Sequence, residues 1–187
     1  MKKLCSVLGC LTLLFAFAGC GKPGMLKGLA DSKLGVTWKG EPSYSALVSR
    51  EIKKRTKLMV LDDQNLPELA DYQEPDALSR LQRQHKLDYI LVCTPVFIGP
   101  VQQESFFSVR EGVRISVEYK RQVKVAYKLL AVPSGEMLLS GVSEGEGKRG
   151  ASLRFDSEGA SGRLPSADDQ ELLSEAVADA IRRSELL

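Results

Sequence analysis

Between Val113 and Leu129 the chain alternates for longer than an ordinary strand. Val113, Ile115, Val117, Tyr119, Val123, Val125, Tyr127 and Leu129 share one parity, broken only by Arg121. Arg114, Ser116, Glu118, Lys120, Gln122, Lys124 and Lys128 take the other. Successive side chains of a strand point to opposite faces, whereas a helix would scatter this set around its whole circumference. The segment is therefore a half-buried antiparallel strand, far beyond the ~5–6 residues of a typical one. Pro133-Ser134-Gly135-Glu136 turns the chain, and Met137 to Val142 returns as its hairpin partner.

The other elements follow from shorter signals. Leu34 to Trp38 reads as a strand, and Pro42-Ser43 opens a helix with apolar positions at Leu47, Val48 and Ile52. Lys57 to Leu61 is an apolar run closed by Asp62-Asp63, and a helix fits Pro75 to His85. Tyr89 to Ile98 is a strand broken by Gly99-Pro100. Glu144 to Pro165, rich in glycine, serine and charge, reads as an exposed loop containing Gly145, Gly147 and Gly150. Asp168-Asp169 caps a last helix with Leu172, Leu173, Ala176, Val177, Ala180 and Ile181 as its apolar stripe. The order β-α-β-α-β-β-β-α implies an α+β fold, a two-layer sandwich of one mixed sheet with helices on one face.

The amino end carries a separate message. Lys2-Lys3 precede an apolar stretch from Leu4 to Phe17, which ends at Ala18-Gly19-Cys20. These are the parts of a secretory signal, and the run is too short to span a ~30 Å hydrocarbon layer. A cysteine directly after the small residues marks a lipobox, with cleavage between Gly19 and Cys20 and lipidation of Cys20. Two or three acyl chains at ~0.8 kcal/mol per buried methylene anchor stably where one would not. Gly21, rather than aspartate, after the cysteine favours the outer membrane, with the domain on the periplasmic side. The expected division is residues 1–19 as signal, 20–32 as lipidated tether and 33–187 as one periplasmic domain.

Removal of Lys2 and Lys3 leaves 24 basic against 24 acidic residues, a balance that gives nucleic acid no electrostatic footprint. Cys5 and Cys10 lie in the signal and Cys20 is acylated, so Cys93 has no disulfide partner; its apolar surroundings suit a small buried hydrophobe. The single histidine, His85, closes a helix where a cation suits the macrodipole. Asp62-Asp63 lack a third carboxylate spaced for a hard-cation cage, and zinc would need more histidine or thiolate ligands than remain. No phosphate loop follows a strand, and no serine has a free base. The reading is of a non-enzyme: no catalytic residue, no cofactor and no metal.

Three segments resemble one family. Leu87-Asp88-Tyr89-Ile90-Leu91-Val92 is similar to the strand entry of CsgG-type lipoproteins, the curli-secretion family, and of the related amino-terminal domains of TolB and penicillin-binding-protein activator lipoproteins. Val123 to Leu139, with Ser134-Gly135-Glu136-Met137-Leu138, resembles that family's paired strands. Leu58 to Asp63 occupies the place of a strand that the family ends in Glu-Arg. The resemblance implies a lipid-anchored envelope domain that binds other proteins, or its own copies, as an adaptor in an envelope assembly. In CsgG members two hairpins per subunit close a secretion pore, which is the alternative. Gln103 to Val109 and Val113 to Tyr119 suit the first hairpin; Lys148 to Pro165 shows no sustained apolar row for the second. The face from Val113 to Leu129 is therefore read as covered by helices or by a neighbouring subunit.

Overall fold

The computed structural model describes residues 24–41, 43–109, 113–156, 159–162 and 168–187. Seven strands and three helices follow in the order β1 (Lys33–Trp38), α1 (Ser43–Lys53), β2 (Met59–Asp62), α2 (Ala77–His85), β3 (Tyr89–Ile98), β4 (Gln102–Ser108), β5 (Val113–Ala131), β6 (Met137–Asp156), β7 (Gly159–Gly162) and α3 (Asp169–Arg183). They form one mixed sheet in the order β2-β1-β3-β5-β6-β7, with β4 beside β5. β1 is parallel to β2 and β3, and every other pairing is antiparallel. The expected α+β class is borne out.

Apolar alternation in β3 decides which helix covers which face. Leu91 and Cys93 join Val36, Val125, Tyr127, Val48, Val177 and Ile181 in the larger core, beneath α1 and α3. Ile90 and Val92 point the other way, into a smaller cluster with Leu66, Leu69, Leu81 and Leu87 beneath α2. Both faces of β3 are thus buried, which explains why Tyr89–Val92 reads as a continuous apolar run. The one-face arrangement expected of the helices holds for α1 and α3, while α2 lies on the opposite side.

The segment Glu144 to Pro165 corrects the sequence reading. Residues 144–156 are not a loop: β6 pairs with β5 without a break from Leu139↔Leu129 to Phe155↔Val113. The hydrophobic period is missing because this face of β6 carries small residues: Ser143, Gly145 and Gly147 let α3 lie directly on the strand, and Gly141 makes room for the Tyr127 side chain. A Cβ on Gly145 would sit 2.0 Å from the Ala176 carbonyl oxygen, and one on Gly147 would sit 2.0 Å from that of Leu172. Ser143 Oγ donates to the Ala180 carbonyl at 2.6 Å. The helix is started as expected, by Asp168 accepting from the N–H groups of Gln170 and Glu171.

The expected tether 20–32 is also shorter than read. Residues 24–32 belong to the fold: a 3-10 turn at Met25–Leu29 buries Leu26, and the Met25 and Leu26 N–H groups donate to the carbonyls of Glu185 and Leu186. Hydrophobicity there falls on Met25, Leu26 and Leu29, a spacing too short to register as periodic. First and last described residues therefore meet, with Gly24 packed against Leu187.

Candidate docking surface

β3 and β4 run in the same direction along β5, so together they are one strand interrupted at Gly99-Pro100. Gly99 N–H donates to the Gln122 carbonyl at 2.8 Å, and Arg121 Nε donates to the Gly99 carbonyl at 3.1 Å. Arg121 also pairs with the Asp169 carboxylate at the start of α3. Arg149, next to it on β6, pairs with Glu171. This pair of arginines marks where helical cover ends. The break in the apolar alternation at position 121 is therefore the boundary of the core.

Beyond it, β4, residues 113–120 of β5, residues 148–156 of β6 and β7 continue as a projecting sheet. Registers place Val113, Ile115 and Val117 on one face with Phe107, Ala151, Leu153 and Phe155. The other face carries Arg114, Ser116, Glu118 and Lys120 with Glu104, Phe106, Ser152 and Arg154. Lys120 Nζ lies 2.7 Å from Glu104 and 3.9 Å from Glu118, and so relieves the facing of two carboxylates. The hydrogen bond to Glu104 raises the pKa of Lys120, against the desolvation that lowers it. Exposed apolar side chains run along the interrupted strand from Val96, Phe97 and Ile98 at the β3–β4 junction to the tip, where Phe106 is 55%, Phe107 67%, Val109 62% and Phe155 41% accessible. Helical cover reaches Val123–Leu129 alone; Val113 and Ile115 are half-buried and belong to neither core cluster. The helical part of the cover expected over Val113 to Leu129 thus thins towards Val113 and Ile115, although Val117, 8% exposed, is still buried. β7 gives Leu153 to Asp156 a short antiparallel partner, so a small second hairpin exists where the sequence reading expected none.

Gly19 and Cys20, the expected cleavage and lipidation residues, lie outside the described residues. Cys93 is fully buried, and desolvation pushes its thiol up to about 12. Asp62 is buried and accepts from Asn65 N–H and Nδ2, at 3.1 and 2.7 Å. Asp63 accepts from Thr37 Oγ1 at 3.4 Å, from the Trp38 N–H at 3.3 Å and from Ser45 Oγ. These local donors account for both carboxylates as fold-holding groups. His85 lies in the last turn of α2, and its carbonyl accepts from Lys33 Nζ at 2.9 Å. The aromatic tip was not singled out from sequence. Its signal was the Phe106-Phe107 pair, which puts one ring on each face of a strand that needs only one apolar face.

No protein-family model matches the chain, and no curated protein matches it. Among solved structures it is similar to the hypothetical protein CT253 from Chlamydia trachomatis, at 12% identity over 83% of this chain and 92% of that one, with a TM-score of 0.40. It is similar also to lipoprotein GNA1162 from Neisseria meningitidis, at 13% identity over 82% and 99%, with a TM-score of 0.35. A minor lipoprotein from Acinetobacter baumannii gives 7% identity over 81% and 87%, with a TM-score of 0.36.

Proposed function

We propose that this chain is a non-enzymatic lipoprotein of the cell envelope, anchored at the outer membrane through Cys20 with its domain on the periplasmic side. Its projecting sheet docks it onto other proteins of an envelope assembly. The observation that carries this reading against a pore is the distance between anchor and sheet. Gly24 packs at the Leu187 end of α3, where Leu139 lines the same cleft. The projecting sheet begins eight residues further along β6, at Gly147, ~27 Å away at ~3.4 Å per residue. Cys20 lies only four residues before Gly24, a reach of at most ~14 Å. Driving the projecting strands through a leaflet would leave the anchor short of that leaflet by about its own reach.

The pore reading keeps one observation in its favour: strands of about nine residues, alternating between an apolar and a charged face, are what a membrane barrel uses. Two measurements divide the readings. Labelled palmitate should enter the wild-type chain, and Cys20→Ser should lose the label and leave the detergent-extracted membrane fraction. The wild-type chain reconstituted into planar bilayers should give no ion conductance. Stable unitary conductance would overturn the adaptor reading in favour of the pore, and undiminished labelling of Cys20→Ser would overturn the anchor.

A further inference from the structure

The free edge of β4 is the least protected strand edge among the described residues. β4 pairs with β5 alone, leaving the N–H and C=O groups of every second residue along its seven-residue length without a ladder. Natural edges are blunted by lysine, proline, a bulge or shortness. Gln102-Gln103-Glu104-Ser105-Phe106-Phe107-Ser108 contains neither lysine nor proline, and its register against β5 is unbroken. Its only charge, Glu104, is drawn towards Lys120 of its own sheet. The other edges are short or blunted: β2 and β7 have four residues each, the outer edge of β3 beyond Cys93 carries Pro95 and a bulge, and the outer edge of β6 over residues 137–152 carries Lys148 and gives its Glu146 N–H to Asp179.

We infer that β4 pairs with β4 of a second copy of this chain, antiparallel, about a two-fold axis through Ser105. In this register all seven residues pair: Ser105 meets Ser105, Glu104 meets Phe106, Gln103 meets Phe107 and Gln102 meets Ser108. No charge faces its like. Sliding by two residues in one direction sets Glu104 against Glu104, and in the other leaves only five residues paired. A slip of one residue joins the apolar face of one copy to the charged face of the next. The interface is isologous, as a two-fold requires, and it joins the projecting sheets into one continuous sheet with a shared apolar face. The axis is normal to the sheet, so both anchor ends lie at the same height and both short tethers reach one leaflet. That orientation rests on the lipid-anchor reading; the pairing itself does not.

The test uses the full chain, expressed with its signal and extracted from membranes in detergent. Residues facing each other across an antiparallel ladder have Cα atoms ~4.5–5.5 Å apart, within disulfide range. Ser105→Cys, oxidised with copper-phenanthroline and oxygen, should run at twice the mass on a non-reducing gel, and wild type, whose Cys93 is buried, should not. Glu104→Cys and Phe106→Cys should cross-link when co-expressed, far more than either alone. Ser105→Lys, at an exposed position, sets two cations on the axis and should convert the wild-type dimer to monomer in sedimentation. A wild-type monomer at micromolar concentration with no Ser105→Cys dimer would overturn the inference. So would preferential cross-linking of Ser105→Cys to Ser161→Cys on another copy, which is the head-to-tail contact of a ring. Failure of the lipid anchor would show separately, as undiminished palmitate labelling of Cys20→Ser, and the Ser105→Cys cross-link is also read in a Cys20→Ser background, where no free Cys20 thiol can join two copies.

Discussion

Replacing Gly145 by alanine inserts one methyl group between β6 and α3. The new Cβ would lie 2.0 Å from the Ala176 carbonyl oxygen and 2.3 Å from the Ala180 nitrogen. Ordinary contact begins near 3.4 Å, and both neighbours are backbone, so the helix must retreat by about 1.4 Å. That movement opens a gap along Leu172, Ala176, Val177, Ala180 and Ile181, all buried against the sheet. A gap of even ~0.5–1 Å forfeits a quarter to a half of each dispersion contact, and overpacking of this kind costs ~1–3 kcal/mol. Rigid backbone on the far side puts the expected loss at the upper end, ~3 kcal/mol. For a domain of this size that lowers the melting temperature by ~6–12 °C. The control is internal: Gly150→Ala meets nothing nearer than 3.7 Å, on the same strand beyond the helix. Thermal melts followed by circular dichroism should separate the two variants widely. Equal melts would refute direct packing of α3 on the glycines.

Val125→Lys, at a fully buried position, should prevent stable folding, because an unpaired buried charge costs several kcal/mol against a total of ~5–15. Ile115→Lys, half-buried outside the core, should shift the melt by less than ~1 kcal/mol, and a collapse equal to that of Val125→Lys would place position 115 under unrecognised cover. A chain beginning at Gly24 should melt above one beginning at Lys33, by at least the ~1.5–3 kcal/mol of burying Leu26, in parallel urea titrations. Burial alone would raise the pKa of Asp179, but the Glu146 N–H, Arg182 and Arg183 hold it below the ordinary carboxylate value. Its contribution is therefore full above ~4 and lost as pH falls through the lowered pKa, so Asp179→Asn should flatten the acid limb of a stability-pH profile.

Where hydrophobicity itself carried the period, the sequence sufficed to read the fold. The strands at Leu34, Met59, Tyr89 and Val113 and the helices at Ser43 and Asp169 each announce a buried stripe. β6 does not, because a strand under a closely seated helix needs small residues, and Gly141-Ser143-Gly145-Gly147 alternates in volume rather than in polarity. A different cause hid the second face of β3, where large hydrophobes buried on both sides remove alternation altogether. Of the docking surface, Arg121 was visible as an interruption, but its meaning depended on Asp169, 48 residues away. The exposure of Phe106, Phe107 and Phe155 depends on where along the sheet the start of α3 is seated, which no local pattern encodes.

The meeting of Met25 and Leu26 with Glu185 and Leu186 bears on how such a chain matures. The Met25 and Leu26 N–H groups find their partners only when residues far along the chain fold back onto them. The helix that closes the core over β5 and β6 is also the last element among the described residues. Contacts of such long sequence separation form late and slowly. The glycine-lined face of β6 therefore stays uncovered until α3 docks, so the small-residue strand is the part of the core sealed last.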